Sequence, residues 1–327
     1  MLRCALSCCV LLAACGSRED DKVVSLDGSS TVFPISEAVA EELKKSGKGR
    51  VTVGMSGTGG GFEKLCRSEV PVIGASRPIK PEEQEACRRG GVEFIELPVA
   101  YDGISIVVHP SADWIESITI AELRKMWEPQ AQDRVMRWSD VREGWPDSEL
   151  HLFGAGVDSG TYDYFTLATV GAEHSSRGDY TASEDDNTLV QGIASDKLAL
   201  GFTGYAYYYE NRDKLALVPV DDGDASNGDG PIAPSFESVL GGTYQPLSRP
   251  IFLYVSQAAL ARDEVVTLVD FYLQQCPSLA REVGYMPLPD DAYDIVRARF
   301  AARTLGSAFG GRGSTVGITV ERLLRAD

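Results

Sequence analysis

Histidine is nearly absent from this chain, with three in 327 residues, at positions 109, 151 and 174. So few, so far apart, give no support to a Cys/His zinc site and no pattern for a serine–histidine hydrolase. Basic residues are also short: 31 Lys and Arg stand against 48 Asp and Glu, a formal net charge of −17. That balance argues against nucleic acid as a partner and against a surface that draws anions from a distance. Any anion must then be held by local hydrogen bonds in a recessed site. Long apolar runs are lacking too, since none reaches the ~18 residues of a transmembrane helix.

What is there begins with a leader. Met1-Leu2-Arg3 is a short basic end, Cys4 to Ala14 is an apolar run too short to span a bilayer, and Leu12-Ala13-Ala14-Cys15 has the form of a bacterial lipobox. Residues 1–15 are expected to be a lipoprotein signal peptide with Cys15 lipidated, and residues 16–22 a polar tether; an ordinary signal peptide is the alternative. The mature chain is expected outside the cytoplasm, periplasmic or at the cell surface, anchored in a membrane by lipid. Of seven cysteines, Cys66, Cys87 and Cys276 remain after the leader. In that compartment Cys66 and Cys87 are candidates for a disulfide worth ~3 kcal/mol by chain entropy, against the alternative of two buried thiols. Cys276 reads as a small buried hydrophobe.

The stretch around which the mature chain is organised runs from Val23 to Lys44. Val23-Val24-Ser25-Leu26 fits a buried strand, Asp27-Gly28 breaks it, Ser29-Ser30-Thr31 follows, and Val32, Ile35, Val39 and Leu43 recur at helical spacing. This is a strand, a hydroxyl-lined turn and a helix start. Unpaired N–H groups and the positive end of the helix dipole lie there, so these hydroxyls fit either a capping role or the holding of an anion.

The length beyond the leader exceeds one typical core, so two domains are expected. Strands are read at Val23 to Leu26, Arg50 to Gly54, Val72 to Ala75, Val92 to Pro98, Ile104 to His109, Leu150 to Gly154, Ala199 to Thr203, Leu215 to Val218 and Pro250 to Val255. Helices are read at Phe33 to Lys45, Gly59 to Cys66, Pro81 to Arg89, Ile120 to Met126, Thr161 to Val170, Asn187 to Ala194, Gly204 to Asn211 and Val265 to Cys276. Their alternation is that of a layered α/β protein. The four tryptophans and the tyrosines at 205, 207, 208 and 209 read as packing, and Asp185-Asp186-Asn187 as a helix cap. The acidic loop from Asp221 to Pro231 lacks the glycine and the last glutamate of a calcium loop, and reads as solvated.

Three more turns share the grammar of the first. Gly54-Met55-Ser56-Gly57-Thr58-Gly59-Gly60-Gly61 carries a strand into a helix, at a spacing that matches neither a Walker loop nor a dinucleotide fingerprint. Gly74-Ala75-Ser76-Arg77-Pro78 delivers a hydroxyl and a guanidinium into a turn. Gly154-Ala155-Gly156-Val157-Asp158-Ser159-Gly160-Thr161 again joins strand to helix. Each turn sits at the C-terminal end of a strand, where open α/β sheets bind ligands.

Asp27-Gly-Ser-Ser-Thr, Ser56-Gly-Thr-Gly-Gly-Gly, Gly74-Ala-Ser-Arg-Pro, Ala100-Tyr-Asp-Gly, Asp158-Ser-Gly-Thr and Pro246-Leu-Ser-Arg-Pro occur here in one order. In that order they resemble the phosphate-binding proteins of the Pst-type ABC transporter, in particular their SphX-like branch. The resemblance implies an α/β, type II periplasmic-binding-protein fold, with two α/β lobes joined by two crossover strands near Tyr101 to Val108 and Arg249 to Tyr254. Lobe one would hold residues 23–103 and 253–327, and lobe two residues 104–252. It also implies a monomer that binds inorganic phosphate without a cofactor or metal and delivers it to a membrane permease, and not an enzyme.

Carried over by motif, the phosphate contacts would come from Ser30, Thr31, the Val32 backbone, Thr58, Ser76, Ser159, Gly160 and Thr161. The chain departs from the family in one respect. Many members have an acid where Arg77 stands here, and an arginine where Ala155 stands. The implied rearrangement exchanges the charged pair between lobes, with Arg77 donating to phosphate and Asp158 accepting its proton. Rival readings are a binding protein for sulfate, molybdate or a small carboxylate, a phosphate sensor or adhesion protein on the same scaffold, or an extracytoplasmic hydrolase. Asp158-Ser159-Gly160 is not the Gly-x-Ser-x-Gly elbow that the last would use.

Overall fold

A computed structural model describes residues 23–310 and 313–314. The leader 1–15 with Cys15, and the tether 16–22, lie outside the described residues. The chain starts with β1 (Val23–Gly28), α1 (Phe33–Lys45), β2 (Arg50–Val53), α2 (Gly57–Cys66), β3 (Val72–Ala75) and α3 (Pro81–Arg89). β1 lies between β2 and β3, and all three are parallel. α1 has Pro34 in its first turn, where a missing N–H costs nothing, and buries Ile35, Val39 and Leu43 against the sheet. A disulfide joins Cys66 at the end of α2 to Cys87 in α3.

Next comes β4 (Phe94–Val108), buried along all 15 residues. The sequence reading has two strands here, Val92 to Pro98 and Ile104 to His109, with Val99 to Gly103 left between them. The strand instead runs through, because the Asp102 carboxylate is paired: it accepts Arg249 Nη2 at 3.0 Å and the Tyr205 N–H at 3.3 Å. The chain goes on through β5 (Ile118–Thr119), α4 (Ile120–Trp127), α5 (Trp138–Val141), β6 (His151–Ala155), α6 (Gly160–Thr169), β7 (Thr181–Ser183), α7 (Asp186–Ser195), β8 (Ala199–Gly204), α8 (Tyr205–Glu210), β9 (Ala216–Val218) and β10 (Val220–Asp221). α9 (Phe236–Leu240), β11 (Ser248–Ser256), α10 (Asp263–Glu282), β12 (Met286–Pro287) and α11 (Asp290–Ala301) complete it.

The main sheet runs β2-β1-β3-β11-β4-β8-β6-β7. β11 is antiparallel to both β3 and the first part of β4, up to Gly103. From Ile104 onward β4 changes partner and pairs with β8 and β9, and β8 continues in parallel to β6 and β7. Two parallel three-stranded units therefore flank a central antiparallel pair, and the turns singled out in the sequence lie at the C-terminal ends of β1, β2, β3 and β6.

The tryptophans pack as expected: Trp127 against Phe165, Tyr180 and Phe202, and Trp138 against Trp114 and Trp145. α10 is longer than its reading because it continues through Pro277. A proline cannot bond the carbonyl four residues back, which is that of Leu273. Here that carbonyl accepts Arg297 Nη1 from α11 at 3.4 Å, a substitute that sequence spacing does not reveal. Cys276 is buried, and its thiol donates to the Val99 carbonyl. Among the described residues no helix is long and apolar enough to cross a membrane.

Candidate functional site

The first and third turns have the same local construction. Ser29 Oγ accepts the Thr31 N–H at 3.2 Å, and Ser159 Oγ accepts the Thr161 N–H at 3.1 Å. Ser159 thereby caps α6, whereas the Ser29 bond closes the turn just before α1, whose N-cap Val32 has no side-chain cap bond; in both turns the threonine hydroxyl has another partner. The two hydroxyls meet: Thr31 Oγ1 and Thr161 Oγ1 are 2.9 Å apart although 130 residues separate them in sequence. Capping, one of the alternatives left open by the sequence, is thus carried out by Ser159 in the third turn, while the threonine hydroxyl beside it turns to Thr31.

The second turn joins the same place. Thr58 Oγ1 accepts the Ser76 N–H at 3.2 Å and shares a hydrogen bond with Ser76 Oγ at 3.1 Å. A Cβ built on Gly160 would fall 2.5 Å from Ser76 Oγ and 2.7 Å from Thr58 Oγ1, so only glycine lets these loops approach so closely. The rims also touch through the main chain, where the Gly59 N–H donates to the Asp158 carbonyl at 3.0 Å. Thr31, Thr58, Ser76, Gly160 and Thr161 are therefore brought together, all buried, with Ser159 capping beside them.

Four other sequence candidates are engaged elsewhere. Ser30 Oγ donates to Asp186 Oδ2 at 2.8 Å, while Val32 is buried against Gly74. The Arg77 guanidinium is taken up by carboxylates: Nη1 and Nη2 hold Glu83 at 2.8 and 2.7 Å, and Nε holds Asp163 at 2.5 Å. Asp158 is exposed, and its backbone N–H donates to Glu184.

The cation at the threonine pair is Arg249, which is 1% exposed. Its Nη2 donates to Thr161 Oγ1 at 2.7 Å, to Thr31 Oγ1 at 3.3 Å and to Asp102 Oδ2 at 3.0 Å, and its Nη1 donates to the Gly160 carbonyl at 2.7 Å. Arg249 Nε is buried without a hydrogen-bond partner among the described residues. Burial pushes the Asp102 carboxyl up to about 6, although the adjacent guanidinium pulls the other way. Asp186, wholly buried, is also raised by burial, against hydrogen bonds from Thr203 and Ser30.

Outer groups hold the turns in place. Tyr207 and Tyr285 hydroxyls donate to the Ser30 and Thr31 carbonyls, so Tyr207, read as packing, also fixes the first turn. Asp27 accepts Ser56 Oγ at 2.8 Å and Lys64 Nζ at 2.5 Å, which ties the end of β1 to the start of α2. Its carboxyl lies below the usual range; burial raises it, but the Lys64, Ser56 and Gly28 hydrogen bonds prevail.

A family model described as a PBP superfamily domain matches residues 16–275. Protein SphX of Synechococcus elongatus is 49% identical over 306 residues, covering 93% of this chain and 89% of the relative. The chain belongs to the SphX family within the PBP superfamily. The phosphate-binding protein PstS of Staphylococcus saprophyticus is 32% identical over 88% of this chain and 89% of its own length. A crystal structure described as a possible phosphate binding protein from Planctomyces limnophilus is 44% identical, with a TM-score of 0.62, covering 86% of this chain and 98% of that one. The fold of this SphX-family chain is accordingly PBP-like, mixed α/β with a curled sheet. Asp102 and Arg249 both lie in motifs that carry the family resemblance, yet neither is among the site residues read from sequence. An ionisable residue within each buried crossover segment was the available signal.

Proposed function

We propose that this protein is an extracytoplasmic solute-binding lipoprotein that captures inorganic phosphate where its four turns meet and delivers it to an ABC permease. One observation carries the reading: a buried guanidinium bridges two threonine hydroxyls at two helix starts, beside two buried carboxyls. Hydroxyls, helix N-termini and Arg249 supply the donors that offset dehydration of an anion. One cation against two carboxylates does not favour a fully deprotonated ion. A proton on the ligand, shared with Asp102, removes that conflict. Phosphate keeps such a proton at neutral pH, whereas sulfate offers only lone pairs to a carboxylate.

This proposal keeps Thr31, Thr58, Ser76, Ser159, Gly160 and Thr161 as contacts, with Ser30 bound to Asp186 and the Val32 N–H bonded to the Ser29 carbonyl. It moves the cationic role from Arg77 to Arg249, because Arg77 is engaged by Glu83 and Asp163, and the proton-accepting role from Asp158 to buried Asp102. It divides the molecule into two lobes, with boundaries near Gly103, where β4 changes partner, and between Phe252 and Leu253, where β11 is already paired with β3. The protein acts as a monomer, is not an enzyme, and is anchored through Cys15. The names of the relatives support phosphate as the ligand.

Thermal melting against phosphate, sulfate and molybdate tests the reading. Phosphate at 100 times its Kd should add about 2.7 kcal/mol to stability. A rise with phosphate alone supports it; an equal rise with sulfate selects a different oxyanion. Asp102→Asn should narrow the preference for phosphate over sulfate.

A further inference from the structure

A second polar cluster lies between the segment after β3 and the α6 region, with no hydrogen bond among the described residues to the Thr31–Thr161–Arg249 group. Arg77 and Lys80 contribute from the first side, and Asp163, Glu173 and His174 from the second. Asp163 Oδ2 accepts Arg77 Nε at 2.5 Å and Lys80 Nζ at 3.0 Å, while its Oδ1 is 2.9 Å from His174 Nε2. Lys80 Nζ also reaches Glu173 at 2.9 Å and His174 Nε2 at 3.1 Å. The side chains of Arg77, Lys80 and Asp163 are 3%, 8% and 2% exposed, so solvent screens these pairs little.

Sequence position links this cluster to the binding turns. Arg77 follows Ser76, and Asp163 lies two residues beyond Thr161 on α6, which turns it to another side of the helix. Each segment therefore presents hydroxyls to the ligand cluster and opposite charges to its counterpart.

We infer that Arg77, Lys80 and Asp163 form a charged clasp that holds these two segments together independently of ligand, and so act as positioning residues for anion binding. The inference rests on the proposed site at the threonine pair, but the clasp itself needs no ligand. A preorganised gap lowers the ordering cost of binding and slows escape of the bound ion.

Asp163→Asn removes the buried carboxylate that Arg77 and Lys80 share across the segments, while Arg77 stays on Glu83 and the less buried Lys80–Glu173 pair still crosses, so the variant should fold. It should bind inorganic phosphate about tenfold more weakly, through faster dissociation, with an unchanged phosphate-to-sulfate ratio. Small-angle scattering of the ligand-free proteins should show a larger radius of gyration for Asp163→Asn than for wild type. Lys80→Met, which leaves Arg77 on Asp163, should shift both readings less in the same direction. An unchanged radius of gyration, or an affinity within twofold of wild type, overturns the clasp. If wild type shows no response to phosphate, the proposed function falls, and the scattering comparison still decides the clasp.

Discussion

Arg249→Met separates a ligand contact from a structural ion pair. The guanidinium makes contacts at 2.7–3.3 Å to Gly160, Thr161, Asp102 and Thr31. Its loss leaves Asp102 fully buried with one backbone donor, Tyr205 N–H, at 3.3 Å. Breaking a buried pair from one side costs about 3–5 kcal/mol, so urea unfolding of the single variant without ligand should show a loss of that order. The double variant Arg249→Met, Asp102→Asn removes both charges and should regain most of that loss. Phosphate affinity should not return in the double variant. A lost hydrogen bond from a charged donor is worth about 1.5–3 kcal/mol, or a Kd weakened roughly 10- to 150-fold, as read by calorimetric titration at one pH. If the double variant binds phosphate within threefold of wild type, Arg249 is a structural ion only and the assignment of the site is refuted.

Three further outcomes follow from the same geometry. Gly160→Ala should abolish phosphate binding while leaving a folded protein, because its Cβ would meet Ser76 Oγ at 2.5 Å and Thr58 Oγ1 at 2.7 Å; far-UV dichroism with titration reads both. The folded Asp102 carboxyl, at about 6 against an ordinary 3.8, binds a proton more readily than in the unfolded chain. Its contribution to ligand-free stability should therefore fall as pH rises from about 4 to 6 and then level off. The amplitude is about 3 kcal/mol, and the drop should vanish in Asp102→Asn unfolded by urea across that range. Reducing the Cys66–Cys87 disulfide, which spans 21 residues, should cost about 3 kcal/mol in urea, an effect absent from the Cys66→Ser, Cys87→Ser variant.

The parts of this molecule that could be read from sequence are those written locally. Strand, hydroxyl turn and helix lie within some twenty consecutive residues at Val23 to Lys45, and the same grammar at Gly154 to Thr169 located the partner turn. What such reading misses is pairing at a distance. Asp102 looks like a break in a strand until Arg249, 147 residues away, is placed beside it. Arg77 reads as a ligand donor until Glu83 and Asp163 are seen to occupy its nitrogens. Pro277 reads as a helix stop because nothing nearby shows that Arg297 will serve the carbonyl it leaves unbonded. α11 is absent from that reading although Tyr293, Val296 and Phe300 recur at helical spacing.

The main-chain bond from Gly59 to Asp158 bears on how the mouth of the cleft can drift in sequence. Its seating distance is carried by atoms every residue possesses, so the exposed side chain at 158 can be exchanged without altering how far the rims approach. The facing rim has no such latitude. Gly57, at φ +75° with a Cβ position only 2.6 Å from the Asp158 carbonyl oxygen, admits no larger residue. One lip is therefore open to substitution, and the other is fixed by sterics.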